Sequence, residues 1–122
     1  MNVEILGAST DSVHSHKAWS ASSLGKVEFP ILGDTGHQVS KAFNVLIPEK
    51  GFTLRGTFII DPAGKLVASE INDNSIGRSA HELLRKLQAA QYVLEHPEQV
   101  CPASWEPGEK TLKPELEMVG KI

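Results

Sequence analysis

A β-hairpin pattern followed by one amphipathic helix constrains the fold of this 122-residue chain more than any other feature. Residues 55–60 and 66–71 are β-favouring runs, and the turn 61–65 between them contains Pro and Gly. Residues 83–94 carry leucine and alanine at helical spacing, which predicts a helix with one apolar face. Ser79 and Glu82 have the spacing of a capping box at its start, and His96-Pro97 ends it.

The upstream part of the chain predicts two further helices and two extended segments. Residues 3–8 are predicted as a strand, and N-cap candidates at 9–12 start a helix that Leu24-Gly25-Lys26 ends. Residues 27–32 are predicted to be extended, and Pro30 places them at an edge. Thr35 and Gln38 have the spacing of a capping box before a helix with Val39, Ala42 and Phe43 on one face.

This order of elements predicts an α/β fold, most simply a mixed sheet with helices on both faces. The strand inventory is short, so an open edge is expected beside the first strand. Residues 98–122 contain three prolines and no sustained period, and we predict an extended arm there rather than a packed element. The length is that of one domain.

Cys101 is the only cysteine and lies just beyond the long helix. It cannot form a disulfide within its own chain, so it is either a packing residue or one half of chemistry completed elsewhere; the residues alone leave both open. A single cysteine and the absence of a signal-peptide pattern predict a reducing cytoplasm. The net charge of −3, without a basic run, argues against nucleic acid or an acidic membrane as partner. No cofactor or metal is expected, because His14 and His16 at i,i+2 face different sides of a helix.

Several segments, in order, resemble the peroxiredoxins of the two-cysteine type, and among them the C subunits of bacterial alkyl hydroperoxide reductases. The matching segments run along most of the chain: Ala8-Ser9-Thr10-Asp11, Ser15-His16-Lys17-Ala18-Trp19, Arg55-Gly56-Thr57-Phe58-Ile59-Ile60-Asp61-Pro62-Ala63-Gly64, Ile76-Gly77-Arg78-Ser79, Leu84-Arg85-Lys86, Gln88-Ala89-Ala90-Gln91-Tyr92, Val100-Cys101-Pro102-Ala103 with Trp105, and Val119-Gly120-Lys121-Ile122.

The resemblance implies a thioredoxin-like peroxiredoxin fold: a truncated domain over residues 1–97 and a C-terminal arm over 98–122. It implies that the chain lacks the family's N-terminal strands and catalytic helix with the attacking (peroxidatic) cysteine, since no Pro-x-x-x-Thr/Ser-x-x-Cys segment is present. The expected activity is reduction of hydrogen peroxide and alkyl hydroperoxides. A flavoprotein disulfide reductase or thioredoxin is the expected reductant, and a homo-oligomer, a dimer or a decamer, is the expected assembly.

Three site residues follow from the resemblance. Cys101 is expected to be the resolving cysteine, on an arm flexible enough to keep its thiol accessible. Arg55 is expected to stabilise a thiolate and polarise the peroxide, against the alternative of an ordinary surface arginine. Arg78 is expected to support the same pocket, against the alternative of a helix-entry residue bonded to a carboxylate such as Glu82. His16 and Trp19 are predicted to be structural.

A second functional class remains alongside the peroxidase. Without an attacking cysteine, the chain fits a non-catalytic thioredoxin-like module, or an inactive fragment, that binds full-length subunits or their reductase. Mixing the chain with an intact homologue tests for such binding, whereas peroxide turnover by the isolated chain is expected to stay at the free-thiol background.

Overall fold

The structure is a computed structural model that describes residues 2–22, 25, 27–116 and 119–120. Predicted features at Leu24 and Lys26, and the end of the predicted arm at 117–118 and 121–122, lie outside the described residues. Within the described part, the chain forms the following helices and strands: β1 (Gly7–Ser9), α1 (Val13–Ala21), β2 (Ile31–Gly33), α2 (Gln38–Ala42), β3 (Leu46–Ile47), β4 (Phe52–Thr53), β5 (Arg55–Ile60), β6 (Leu66–Asn72) and α3 (Ala80–Glu95).

The fold is mixed α/β, and its strands pair two by two. β1 lies parallel to β2, β3 antiparallel to β4, and β5 beside β6. Parallel and antiparallel pairs are therefore both present, as predicted, but the described strands form three separate two-stranded sheets rather than one mixed sheet. β1 to β4 have only two or three residues each, which leaves few ladder hydrogen bonds to extend a sheet.

The chain divides into two compact units, residues 1–56 with 71–76 and residues 57–70 with 77–122. In the first unit, β1, α1 and β2 form a βαβ connection in which Gly7 pairs with Ile31 and Ser9 with Gly33. The predicted first strand was too long, because pairing begins only at Gly7. The Ser12 side chain accepts a hydrogen bond from the backbone N–H of Ser15 and caps α1 as expected.

The predicted capping box before α2 is wrong. The N-cap is His37, which has φ of 59° and makes no side-chain cap bond, so Thr35 lies outside the helix. Instead, the carboxylate of Asp34 accepts from the backbone N–H groups of Val39, at 3.0 Å, and Ser40, at 2.9 Å. An aspartate ahead of the helix therefore satisfies the free amides of its first turn.

In the second unit, the predicted hairpin turn and the predicted long helix are both present. The N–H of Asp61 donates to the carbonyl of Lys65, and Gly64 takes φ of 87° within the turn. α3 begins after Ser79, whose side chain accepts from the backbone N–H of Glu82 at 3.2 Å. The turn between β5 and β6 is short enough that the two strands it joins run antiparallel.

The tail beyond α3 differs from the predicted unpacked arm. Val100 and Leu112 form an antiparallel bridge with two backbone hydrogen bonds of 2.7 and 2.9 Å. Trp105, between them, is only 2% exposed and is the most completely buried large side chain in the described residues. In its described residues the tail has no α-helix or long strand, as expected, but residues 100–112 fold back on themselves and pack.

Candidate functional site

Cys101 lies next to the bridge that closes the tail, because the bridged residue Val100 directly precedes it. Its side chain is half-buried, and its Sγ lies 4.0 Å from the carbonyl oxygen of Ala89 on α3. The thiol therefore faces the last two turns of α3 instead of extending on a free arm. The expectation of a freely accessible thiol is corrected by this packing.

Burial raises the pKa of the Cys101 thiol above its ordinary value of 9.0, and the positive charge of Arg85 opposes that rise only in part. Removal of a thiolate from water disfavours its charge, and a nearby cation favours it. Cys101 is consequently protonated at neutral pH. A thiol that attacks peroxide directly needs the opposite condition, a lowered pKa.

A short turn follows Cys101. The backbone N–H of Trp105 donates to the carbonyl of Pro102 at 3.1 Å, and Ser104 takes φ of 62°, in the left-handed region. The indole Nε1 of Trp105 donates to the carbonyl of Glu109 at 3.1 Å. The turn thereby buries its tryptophan without leaving the indole N–H unpaired.

This turn packs against an aromatic side chain of α3. Tyr92 packs against Trp105 with ring centroids 5.1 Å apart, and it also stacks on His96 at 4.1 Å. The Tyr92 hydroxyl donates to Oε1 of Gln99 at 2.9 Å, and Thr111 donates to the same oxygen. Gln99 thus links Thr111, on the far side of the tail loop, to the tyrosine.

Arg85 joins the first turns of α3 to the tail. Its Nε and Nη2 donate to the two carboxylate oxygens of Glu82 at 2.9 and 2.8 Å, and its Nη1 donates to the carbonyl of Trp105 at 3.1 Å. The hydrogen bond with Arg85 is the main cause that lowers the pKa of Glu82, so the carboxylate stays ionised at neutral pH. The sequence reasoning missed this arginine; the i,i+3 spacing of Glu82 and Arg85 was the available signal.

Arg55 lies at the start of β5, in the first unit, and is exposed. Its Nε donates to the backbone carbonyl of Asn74 at 3.0 Å. The loop after β6 thus orients the guanidinium, while part of its donor fork faces solvent. Such an oriented, exposed arginine can bind an anionic or peroxide oxygen.

Arg78 lies just before α3, in the second unit, and its Nη1 donates to Oγ1 of Thr57 at 3.1 Å. It borders an open depression of about 230 Å³. The other residues that line this depression are Thr57, Glu70, Ser79, Ala80 and Leu83.

The structure does not bring Arg78 to the thiol. Cys101 contacts the carbonyl of Ala89, whereas Arg78 precedes Ala80, and these two alanines are separated by about 14 Å of helix rise. Any role of Arg78 toward a sulfur atom therefore concerns a cysteine other than Cys101. In the described part of the chain, no three His, Cys, Asp or Glu side chains cluster to hold a metal ion.

Two family patterns match the sequence. The AhpC/TSA family matches residues 1–69, which is more than half of the chain. The chain belongs to the AhpC/TSA family. The C-terminal domain of 1-Cys peroxiredoxin matches residues 89–121, a stretch of this AhpC/TSA chain that includes Cys101 and its turn.

Relatives of this AhpC/TSA chain are identical to it at about half of the aligned positions. Alkyl hydroperoxide reductase C of Pseudomonas aeruginosa is 51% identical over 98% of the chain, which covers 65% of that protein. The chloroplastic 2-Cys peroxiredoxin BAS1 of Arabidopsis thaliana is 48% identical over 94% of the chain, which covers 45% of it. The chain thus spans less than two thirds of the length of these relatives.

Solved structures agree with the predicted thioredoxin-like peroxiredoxin fold in the part that the AhpC/TSA chain covers. The reduced 2-Cys peroxiredoxin of Plasmodium vivax superposes with a TM-score of 0.89 at 36% identity, over 95% of this chain and 62% of that one. AhpC of Enterococcus faecalis gives a TM-score of 0.79 at 44% identity, over 83% of this chain and 62% of that one. No helix in the described residues is long and apolar enough to cross a membrane.

Proposed function

We propose that these 122 residues are the C-terminal part of a thiol-dependent peroxidase that reduces hydrogen peroxide and alkyl hydroperoxides. Cys101 is its resolving cysteine. The observation that carries this proposal is the setting of the only thiol: half-buried, anchored beside a bridge, and with its pKa raised. Those properties suit a cysteine that reacts with a sulfenic acid and do not suit one that attacks peroxide.

The chemistry needs two thiols. A thiolate outside these residues attacks the peroxide, releases water or an alcohol, and becomes a sulfenic acid. Cys101 then attacks that sulfur, so that a disulfide forms and water leaves. A dithiol reductant, a flavoprotein disulfide reductase or thioredoxin, returns the disulfide to two thiols by thiol–disulfide exchange.

Arg55 and Arg78 serve the attacking thiolate rather than Cys101. Arg55 is exposed, and its bond to the Asn74 carbonyl uses only Nε. The two other nitrogens of the guanidinium are left as donors for a peroxide oxygen. Arg78 is oriented by the Thr57 hydroxyl. A permanent cation near a thiol favours its thiolate and stabilises the charge that develops on the leaving oxygen.

Domain organisation, assembly and compartment belong to the same proposal. Residues 1–97 form the thioredoxin-like part and residues 98–122 the arm that carries Cys101, and the working protein is a homo-oligomer in the cytoplasm. Relatives named alkyl hydroperoxide reductase C and 2-Cys peroxiredoxin support the arm as the carrier of a second reactive cysteine. So does the single cysteine, which needs a second thiol from elsewhere to react.

The test separates resolving chemistry from turnover. The purified chain is mixed with hydrogen peroxide and excess dithiol, and separately with an intact relative such as the Pseudomonas aeruginosa protein, whose own resolving cysteine is replaced by serine and which is oxidised to its sulfenic acid. We expect peroxide consumption at the free-thiol background and a mixed disulfide through Cys101, detected by mass spectrometry under non-reducing conditions. Turnover well above background, or the absence of a mixed disulfide through Cys101, contradicts the assignment.

A non-catalytic binding module is the second candidate function. It is favoured by exposed apolar side chains in the first unit, where Ile5 is 60% and Leu6 61% exposed next to β1. Such side chains beside a short strand are typical of an interface. Association with the intact relative that Cys101→Ser leaves undiminished, without any mixed disulfide from the unaltered chain, selects this function.

A further inference from the structure

We propose that Arg85 is the positioning residue of Cys101: held by Glu82, it fixes the tail by the Trp105 carbonyl and keeps the thiol against α3. This inference rests on the proposed resolving role of Cys101 and adds a residue to it. Arg85 is not among the three site residues expected from the sequence, which are Cys101, Arg55 and Arg78.

The guanidinium of Arg85 is held in place by hydrogen bonds to two partners. All three of its nitrogens make hydrogen bonds, two with Glu82 and one with the Trp105 carbonyl, and its side chain is 19% exposed. The paired bonds with the carboxylate fix the plane of the guanidinium. The third donor therefore points at the tail in a defined direction, and the flexibility of an arginine side chain is already restricted by Glu82.

The tail is held at two points, one on each side of Cys101. Cys101 lies between two anchors, the Val100–Leu112 bridge on one side and the Arg85-bound carbonyl of Trp105 on the other. The bond from the Trp105 N–H to the Pro102 carbonyl closes the turn between them. Because the second anchor is only four residues from Cys101, its loss frees the turn that places the thiol on the Ala89 carbonyl.

The positive charge of Arg85 also acts on Cys101. Arg85 is the cation that acts on the Cys101 thiol, and in turn the carboxylates of Glu82 and Glu106 act on Arg85. One guanidinium therefore does two things for the same cysteine: it restrains the loop and favours the thiolate. Lys86, the next residue, contacts Glu70 and Glu82 instead of the tail, which makes it a matched control.

The experiment measures alkylation of the only cysteine by iodoacetamide as a function of pH, on the full 122-residue chain. Arg85→Gln is expected to raise the rate at high pH, where every thiol is ionised, by roughly tenfold, because a charge-assisted bond of the tail is lost. The midpoint of the pH profile should move downward, because release of the thiol removes the burial that raises its pKa, and burial outweighs the charge of Arg85. Arg85→Lys should also raise the high-pH rate and should give a lower midpoint than Arg85→Gln, since it keeps the charge and loses the planar fork.

Two further variants keep the proposal falsifiable if Arg85→Gln does not fold. Glu82→Gln, which leaves the arginine but removes its anchor, should raise the high-pH rate in the same direction. Lys86→Gln should leave both the rate and the midpoint unchanged. Arg85 variants that react like Lys86→Gln overturn the proposal.

The outcome is independent of the proposed function. If alkylation behaves as expected and no mixed disulfide forms with the oxidised relative, the positioning by Arg85 stands and the resolving role of Cys101 fails. If the mixed disulfide forms and the Arg85 variants match the control, the resolving role stands and the positioning fails. A raised rate with equal midpoints in Arg85→Gln and Arg85→Lys reduces Arg85 to a structural clamp and overturns its electrostatic part.

Discussion

Tyr92 and Trp105 pack ring against ring, 5.1 Å apart with their planes tilted by 50°, and this pair attaches the tail to α3. They are 13 positions apart in the sequence. The contact converts a proline-containing tail into a packed loop, and the same loop places Cys101 against Ala89, about 14 Å of helix rise from the first residue of α3. The chemistry proposed for the thiol therefore depends on an aromatic contact between α3 and the tail.

Removal of this contact should destabilise the chain strongly. Trp105 is 2% exposed, so Trp105→Ala is expected to lower the free energy of unfolding by about 3–5 kcal/mol. Trp19→Ala is the control, because Trp19 is 41% exposed and should lose less than half as much. Urea unfolding followed by circular dichroism measures both without relying on the tryptophan signal. Equal losses in the two variants would contradict the burial of Trp105.

The cap of α3 provides a second prediction. The Ser79 side chain accepts from the Glu82 N–H, so Ser79→Ala should lower the free energy of unfolding by about 1 kcal/mol. Ser79→Asp supplies another good N-cap acceptor and should retain most of the stability. Thermal unfolding of the three proteins compares them directly. An aspartate variant as unstable as the alanine variant would show that the side-chain cap bond does not stabilise α3.

Local pattern predicted the hairpin, α3 and the Ser79 cap, because their signals lie within a few neighbouring residues. It failed at α2 and in the tail, for different reasons. Asp34, not Thr35, caps α2, since His37 takes a left-handed conformation that the Thr-x-x-Gln spacing does not reveal. The burial of Trp105 was not predicted because it depends on a residue far away in the sequence: prolines in the tail indicate irregular backbone and say nothing of packing against Tyr92.

The site residues show the same limit. Arg55 and Arg78 were selected by resemblance, but their partners lie 19 and 21 residues away in the sequence, at the Asn74 carbonyl and the Thr57 hydroxyl. Spacing within a segment cannot give such pairs. Arg85 was visible as the partner of Glu82 within α3, whereas its bond to the Trp105 carbonyl required the tail to fold back.

Asp34 gives a pH-dependent prediction. Burial acts to raise its pKa, but hydrogen bonds from Ser40, Val39 and Gln38 outweigh burial and leave the pKa below its ordinary value of 3.8. The ionised carboxylate therefore stabilises the folded chain above pH 3.8, and this contribution is lost as the pH falls through the lower folded-state pKa. Asp34→Asn should flatten the acid side of the stability profile.

Urea midpoints at neutral and acid pH measure this difference. Asp73, Glu82 and Glu98 also have lowered pKa values and titrate in both proteins, so only the difference between the two profiles reports Asp34. Parallel profiles for the unaltered chain and Asp34→Asn would contradict the role of Asp34 as the cap of α2.

Gly33 packs where β2 meets the start of α1, and it should not tolerate a side chain. A Cβ at this position would lie 3.0 Å from the backbone nitrogen of Val13 and 3.2 Å from the carbonyl of Asp11. Gly33→Ala should therefore lower the free energy of unfolding by about 1–3 kcal/mol through overpacking. Gly36→Ala is the matched control, because the nearest atom to its Cβ is 4.0 Å away. Chemical denaturation measures both, and indistinguishable midpoints would contradict the close approach of β2 and α1.

Cys101 should make stability fall at alkaline pH. Burial raises the pKa of its thiol above 9.0 in the folded chain, with Arg85 opposing, whereas the unfolded chain exposes the thiol to water. A raised folded-state pKa means that the protonated thiol stabilises the fold fully below 9.0 and loses this contribution as the pH rises through the folded-state pKa. Cys101→Ala removes the titrating group and should show a smaller fall in urea midpoint between about pH 8 and about pH 10. Tyr92 and the lysines are common to both chains, so their effects cancel in the difference. A Cys101→Ala profile identical to that of the unaltered chain would show that the thiol is as well solvated in the folded state as in the unfolded one, and the packing of Cys101 against Ala89 would then be wrong.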